Sequence, residues 1–193
     1  MKFLSNIIFL FSIVFSNEQS FFDGFETGDL QQLDWFTQGD VSWVVDNQDS
    51  YGGDYSVQVD AIDHNQISTL TLNVDAGCRG DSQIQFYLKI DTEEYRDILH
   101  FYINGEEQYC SGQNDCGWSG NQDWQLFTFD IPQGQSNLKW EYEKDCCGDT
   151  NDFVAIDNVE FTAYLPIPHI SDENGDGLIG VEFVHDHIPG GVF

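Results

Sequence analysis

The chain has 193 residues with 34 acids against 6 lysines and arginines, a formal net charge of −28. So acidic a surface repels nucleic acid and anionic membranes and attracts divalent cations, so no nucleic-acid partner is expected. The length suits one β-sandwich domain with a short appendage, long enough to bury a core.

The chain opens MKFLSNIIFLFSIVFS, with one lysine, an apolar run from Ile7 to Phe15 and a small Ser16. That is the layout of a secretory signal peptide over residues 1–16, with cleavage expected between Ser16 and Asn17. The run is too short to span a bilayer comfortably and no later stretch is longer and more apolar. The mature protein is therefore expected to be secreted, with no membrane insertion.

From Phe21 onward the hydrophobic period is two. Tyr55, Val57 and Val59 alternate with Ser56, Gln58 and Asp60, and Leu70, Leu72 and Val74 with Thr69, Thr71 and Asn73. The same holds for Ile84, Phe86, Leu88 and Ile90, for Leu99, Phe101 and Ile103, for Phe127, Phe129 and Ile131, and for Leu138, Trp140 and Tyr142. Such alternation puts one face of each strand in a core and the other in water. The breaks between strands are rich in Gly, Asn and Asp, and no stretch carries a capped helical stripe. The pattern predicts an all-β fold, an antiparallel β-sandwich of jelly-roll type, over residues 17–163.

All five cysteines, Cys78, Cys110, Cys116, Cys146 and Cys147, follow the leader. In a secreted protein they predict disulfides, with one thiol left over by the odd count. Cys110 and Cys116 flank a short loop and are natural local partners. Cys78 is expected to pair with Cys146 or Cys147 where their two loops share one end of the sandwich, and adjacent cysteines seldom bond each other. The leftover thiol allows disulfide-linked self-association.

The stretch from Trp140 to Phe161 is a strand, an acidic cysteine-bearing loop and a second strand containing Asp157. A carboxylate inside an apolar strand must find a cation or hydrogen-bond donors, since burying it unpaired is costly. Trp140 to Asp145 followed by Ile156-Asp157-Asn158-Val159-Glu160-Phe161 resembles the C-terminal end of MAM-like and carbohydrate-binding-module-like (concanavalin-like) jelly rolls. Phe25-Glu26-Thr27-Gly28 matches their opening turn. Gly53-Asp54-Tyr55-Ser56, the run from Asp97 to Gly105 and Trp118-Ser119-Gly120 match between, so the resemblance spans Phe21 to Ala163. It implies a structural Ca2+ where first and last strands meet, at Glu26 and Asp157, with Asp23 and Asp54 as weaker additions.

Beyond Phe161 the alternation stops. Leu165-Pro166-Ile167-Pro168 reads as a stiff linker opening a segment 164–193. In it Asp172, Asn174, Asp176 and Gly177 match the first half of a calcium loop of EF-hand, dockerin or thrombospondin type 3 kind, where alternate oxygen side chains converge on an ion. The twelfth position is Phe183 rather than an acid, and Glu182 falls one residue early. A weak calcium site is expected here, with a merely acidic turn as the alternative.

Aromatic faces suit the C–H faces of pyranose rings, with neighbouring Asp, Asn and Gln for the hydroxyls. Trp118, in a loop, Tyr87 and Tyr102, on the polar sides of their strands, and Trp124 are the sugar-stacking candidates. The alternative for any aromatic is core packing, preferred for Trp43 and Trp140. No metalloprotease motif, nucleophile elbow or phosphate loop is present, and no spacing singles out a carboxylate pair, so no enzyme is expected. His185-Asp186-His187 in the tail reads as solvated. The expected function is a calcium-stabilised, non-catalytic module that binds an extracellular glycan or a cell-surface protein. A structural part of an extracellular matrix or filament is the alternative, and a small glycan-active enzyme the third class.

Overall fold

The computed structural model describes residues 16–60, 62–78, 80–112, 115–147, 152–166, 169–171 and 180–182. The expected leader lies almost wholly outside them, as do Asp172, Asn174 and Asp176 of the calcium-loop-like segment and the tail histidines. The strands in chain order are β1 (Ser16–Asp23), β2 (Trp35–Gly39), β3 (Val44–Asp46), β4 (Ser56–Asp60) and β5 (Ile67–Asp75). Next come β6 (Ser82–Asp91), β7 (Ile98–Ile103), β8 (Glu106–Glu107), β9 (Cys110–Gly112) and β10 (Asp115–Cys116). The last are β11 (Asn121–Ile131), β12 (Gln135–Glu143), β13 (Phe153–Pro166), β14 (His169–Ser171) and β15 (Gly180–Glu182). No helix occurs among the described residues.

Two antiparallel sheets face each other, as the period-two pattern requires. The first runs β11-β6-β13-β4-β3, with β1 also on β13, and the second runs β2-β5-β12-β7-β8. On β6, Ile84, Phe86, Leu88 and Ile90 are buried while Gln83, Gln85, Tyr87 and Lys89 turn outward. On β12, Trp140 stands in register between Leu70 of β5 and Phe101 of β7. Its ring meets Phe101 at 4.8 Å, Phe86 of the opposite sheet at 5.2 Å and Trp35 at 5.7 Å. These aromatics join the two sheets, each contributing about 1.5–3 kcal/mol through burial.

β13 organises the first sheet. β6 lies along one edge, and the other is shared between β4, opposite Phe153 to Ile156, and β1, opposite Val159 to Pro166. The register shifts between Asp157 and Glu160, and Asn158 takes a φ of 48°. Asparagine tolerates that conformation, and the bulge opens the edge where β4 and β1 part. Asp157 sits at this opening. The strand continues past Phe161 to Pro166, where the alternation has faded, because Ser16 to Ser20 supply a partner backbone. Proline is tolerated there at the strand end.

The cysteine pairing differs in part from the expectation. Cys110 and Cys116 are bridged across β9 and β10. Cys78, however, is free and exposed, and Cys146 and Cys147 are bonded to each other. The reason is the run of β12. Its Gln135 end lies beside Asp75, near the Cys78 turn, and its Glu143 end leads to Cys146 and Cys147. The strand therefore holds the two cysteine loops at opposite ends of the sandwich. Cys78 Sγ instead lies 3.2 Å from the carbonyl of Tyr164 on β13.

Candidate functional site

The loop joining β3 to β4, residues 47–55, folds back across the outer face of the first sheet. Ser56 and Gln58 point outward by alternation, yet they are only 0 % and 1 % exposed because this loop covers them. The Asp49 carbonyl accepts from Ser56 Oγ at 2.6 Å and from Gln58 Nε2 at 2.9 Å. The Asp49 carboxylate accepts from Lys89 Nζ at 2.6 Å and Trp124 Nε1 at 3.1 Å. Burial alone raises the Asp49 pKa, but the bonds from Lys89 and Trp124 outweigh it and hold the carboxyl below its ordinary value. The Lys89 ammonium is raised, first by its bond to Asp49.

This anchoring presents a group of aromatics. Tyr51, 46 % exposed, stacks on Tyr87 with ring centroids 3.4 Å apart, and Trp124 stands edge-on to it at 6.3 Å. The hydrogen bond that Tyr87 donates to Tyr51 is the main cause of a raised Tyr87 pKa. Beside them runs an open groove of about 600 Å³ lined by Gln48, Asp49, Lys89, Asp91, Asn121, Gln122, Asp123 and Phe153. Flat rings next to a row of amides, carboxylates and one ammonium can hold a polyhydroxylated ring by its apolar face and its hydroxyls.

Glu26 and Asp157 brace the same loop from beneath. Asp157, fully buried, accepts from the N–H groups of Tyr51 at 2.8 Å, Gly52 at 3.0 Å and Asn158 at 2.6 Å. Glu26 accepts from the N–H groups of Asp54 at 3.0 Å and Tyr55 at 3.1 Å. Desolvation raises the Asp157 pKa, and the charge of Glu26 pushes it the same way. Glycines permit the close approach: a Cβ on Gly53, whose φ is +74°, would stand 2.3 Å from Glu26 Oε1.

Asp23 and Asp54, the other two residues expected to bind a cation, are engaged differently. Asp23 is buried and its carboxylate accepts from Phe25 N–H at 2.8 Å and Trp35 Nε1 at 2.9 Å, so it braces the core beneath β1. Asp54 is exposed, and what it turns to Glu26 is its N–H donor. Glu182 lies in β15, in register with His169. Glu107, Cys110 and Cys116 also come together, but the disulfide takes both sulfurs out of any metal set.

The four predicted stacking residues divide three ways. Tyr87 and Trp124 both flank Tyr51 on the first sheet. Tyr102 lies on the outer face of the second, with Lys139 Nζ 4.3 Å over its ring and burial, then Glu107 and Glu141, pushing its pKa up to about 12. Trp118 is 3 % exposed, stacked on Tyr109 at 4.5 Å and edge-on to Phe127 at 4.8 Å. It is a core residue, because its backbone bridges to Leu99 and carries the loop down over the sandwich. Tyr51, Asp49 and Lys89 were not singled out by sequence. The pair Gly52-Gly53 after Tyr51 was the available sign of a loop pressed against other groups.

No family model matches the chain, and no curated protein matches it. Solved structures do. TmCBM61, solved in complex with β-1,4-galactotriose, aligns at 17% identity with a TM-score of 0.51, covering 72% of this chain and 92% of that one. The K1 cleaved adhesin domain of Lys-gingipain from Porphyromonas gingivalis W83 aligns at 14% identity and 0.53, covering 75% and 98%. A structure of carbohydrate-binding modules from the β-sandwich superfamily aligns at 14% and 0.50, covering 74% and 60%. At these identities the likeness establishes the fold, a β-sandwich of the kind carbohydrate-binding modules adopt.

Proposed function

We propose that this chain is a secreted, non-catalytic module that binds an extracellular glycan on the outer face of its first sheet. The observation that carries the proposal is the exposed Tyr51 ring, stacked on Tyr87 and met by Trp124 beside a polar groove. An aromatic stack anchored from two sides by hydrogen bonds offers a rigid surface to a sugar at small entropic cost. The likeness to TmCBM61, whose solved complex holds a galactotriose, supports a glycan as the ligand. The Cys110–Cys116 bridge suits an oxidising, extracellular compartment. A glycan array with the secreted protein tests this: retention of specific oligosaccharides is expected, lost in Tyr51→Ala. Equal signals for wild type and Tyr51→Ala would overturn it.

Calcium belongs to the same reading. Glu26 and Asp157 bring carboxylate oxygens to one loop, where they accept from its N–H groups, and no ion pair among the described residues neutralises either. That donor chemistry fits Ca2+. When bound, the ion would offset the repulsion between the two carboxylates and stiffen the loop that carries Tyr51. Cys78, exposed and unbonded, keeps the second reading open, a matrix component linked through that thiol or bound to a cell-surface protein. Reducible multimers of the purified protein without glycan retention would favour it.

A further inference from the structure

Where β12 ends, a lysine is buried with two aspartates. The Lys144 side chain is 5 % exposed and those of Asp97 and Asp152 are 0 %. Lys144 Nζ donates to Asp97 Oδ2 at 2.8 Å and to Asp152 Oδ2. The other oxygen of Asp97 accepts from the Asp145 N–H at 3.0 Å, which fixes that carboxylate in place. The Tyr142 side chain is fully buried and its hydroxyl faces the Asp152 carboxylate; burial first, then the Asp152 charge, raises the phenol's pKa.

As a salt bridge the cluster is poorly balanced. One ammonium serves two carboxylates out of water, with a buried phenol beside one of them. A buried amine held against a carboxyl group, with a second carboxylate and a phenol O–H at hand, has the parts of an amide-forming site. Fixed orientation in a dry pocket supplies the effective concentration that such a condensation lacks in water.

We propose that Lys144 and Asp152 condense spontaneously into an isopeptide bond. A proton passes from the ammonium to the Asp152 carboxylate, leaving an amine and a carboxylic acid. Nζ then attacks Cγ of Asp152, and the oxyanion that forms takes the hydrogen bond offered by Tyr142. Asp97 accepts the second proton from nitrogen and returns it to the departing hydroxyl. The Nζ–Cγ bond forms, the Cγ–O bond of the hydroxyl breaks, and one water leaves. No oxidant, metal or nucleotide is consumed. The product removes the buried charges of Lys144 and Asp152 and leaves Asp97 as the cluster's one buried carboxylate, held by the Asp145 N–H. It would clasp the end of β12 to the start of β13 around the Cys146–Cys147 loop, independently of any disulfide.

The test is the intact mass of the full secreted chain, denatured, reduced and alkylated. The expected mass is one water below that of the uncondensed chain, with tandem mass spectrometry placing the link between Lys144 and Asp152. Asp152→Asn should form the same link with loss of ammonia in place of water, an outcome no salt bridge produces. Lys144→Arg, which keeps the cation, should show no loss, and Asp97→Ala should stay uncondensed with Lys144 and Asp152 both present. A wild-type chain at its full uncondensed mass overturns the proposal whatever the variants do, as does a link mapped to another pair. Full condensation in Asp97→Ala would overturn the assigned role of Asp97.

Discussion

Asp49 is the residue on which the candidate site turns, since its carbonyl holds Ser56 and Gln58 while its carboxylate holds Lys89 and Trp124. Its pKa lies below the ordinary 3.8, so its contribution to stability is present above that value and lost as pH falls through the folded one. Asp49→Asn should flatten the acid side of a stability–pH curve and cost about 1 kcal/mol at neutral pH, tempered by solvent screening. An unchanged acid limb in thermal melts from neutral to acidic pH would contradict this. Trp118 calls for the opposite readout from that of a binding residue. Trp118→Ala should destabilise by about 3–5 kcal/mol in urea unfolding; a normal midpoint with lost glycan retention would restore it as a ligand contact. Alternation along a strand shows which residues turn outward, so Tyr87 and Tyr102 were both legible as surface aromatics. It does not show which sheet each strand joins, and these two face opposite ways.

At the scale of elements, the 47–55 loop is the part least visible in the sequence. Its Gly, Asn and Asp residues announce a turn, but not that the turn lies over Ser56 and Gln58 and brings Tyr51 to Tyr87. Asp157 stood out as a carboxylate in an apolar strand and Glu26 through the resemblance alone, both as expected calcium ligands; the structure has both accepting from backbone amides of this loop. Gly53→Ala places a Cβ against Glu26 at a positive φ. It should destabilise by more than about 1 kcal/mol and weaken glycan binding together with stability. Wild-type behaviour in both melts and binding would show that the loop is not held as described. With Ca2+ at a hundred times its dissociation constant the intact chain should gain about 2.7 kcal/mol, and Asp157→Asn should remove most of that gain. Identical melting in calcium and in chelator would leave Glu26 and Asp157 as acceptors for loop amides alone. The cysteines illustrate a different limit. The local pair Cys110–Cys116 follows from proximity along the chain, whereas the fate of Cys78 depends on which end of β12 its loop adjoins.

At the scale of the molecule, two antiparallel sheets joined through Trp140, Phe86 and Phe101 follow from period-two patterning alone. Strand order does not, because pairing such as β13 with both β4 and β1 is set by long-range contacts that no local pattern encodes. The net charge of −28 acts at this scale as well, disfavouring acidic glycans through the field of the whole surface. The central claim is that the outer face of the first sheet, and not that of the second, binds a glycan. Calorimetric titration of the array-selected oligosaccharide into wild type, Tyr51→Ala, Trp124→Ala and Tyr102→Ala separates the faces. The account predicts a loss of affinity of about tenfold or more for the first two variants, as removal of a stacking ring entails, and wild-type affinity for Tyr102→Ala. Loss confined to Tyr102→Ala, with Tyr51→Ala and Trp124→Ala binding as wild type, would contradict it.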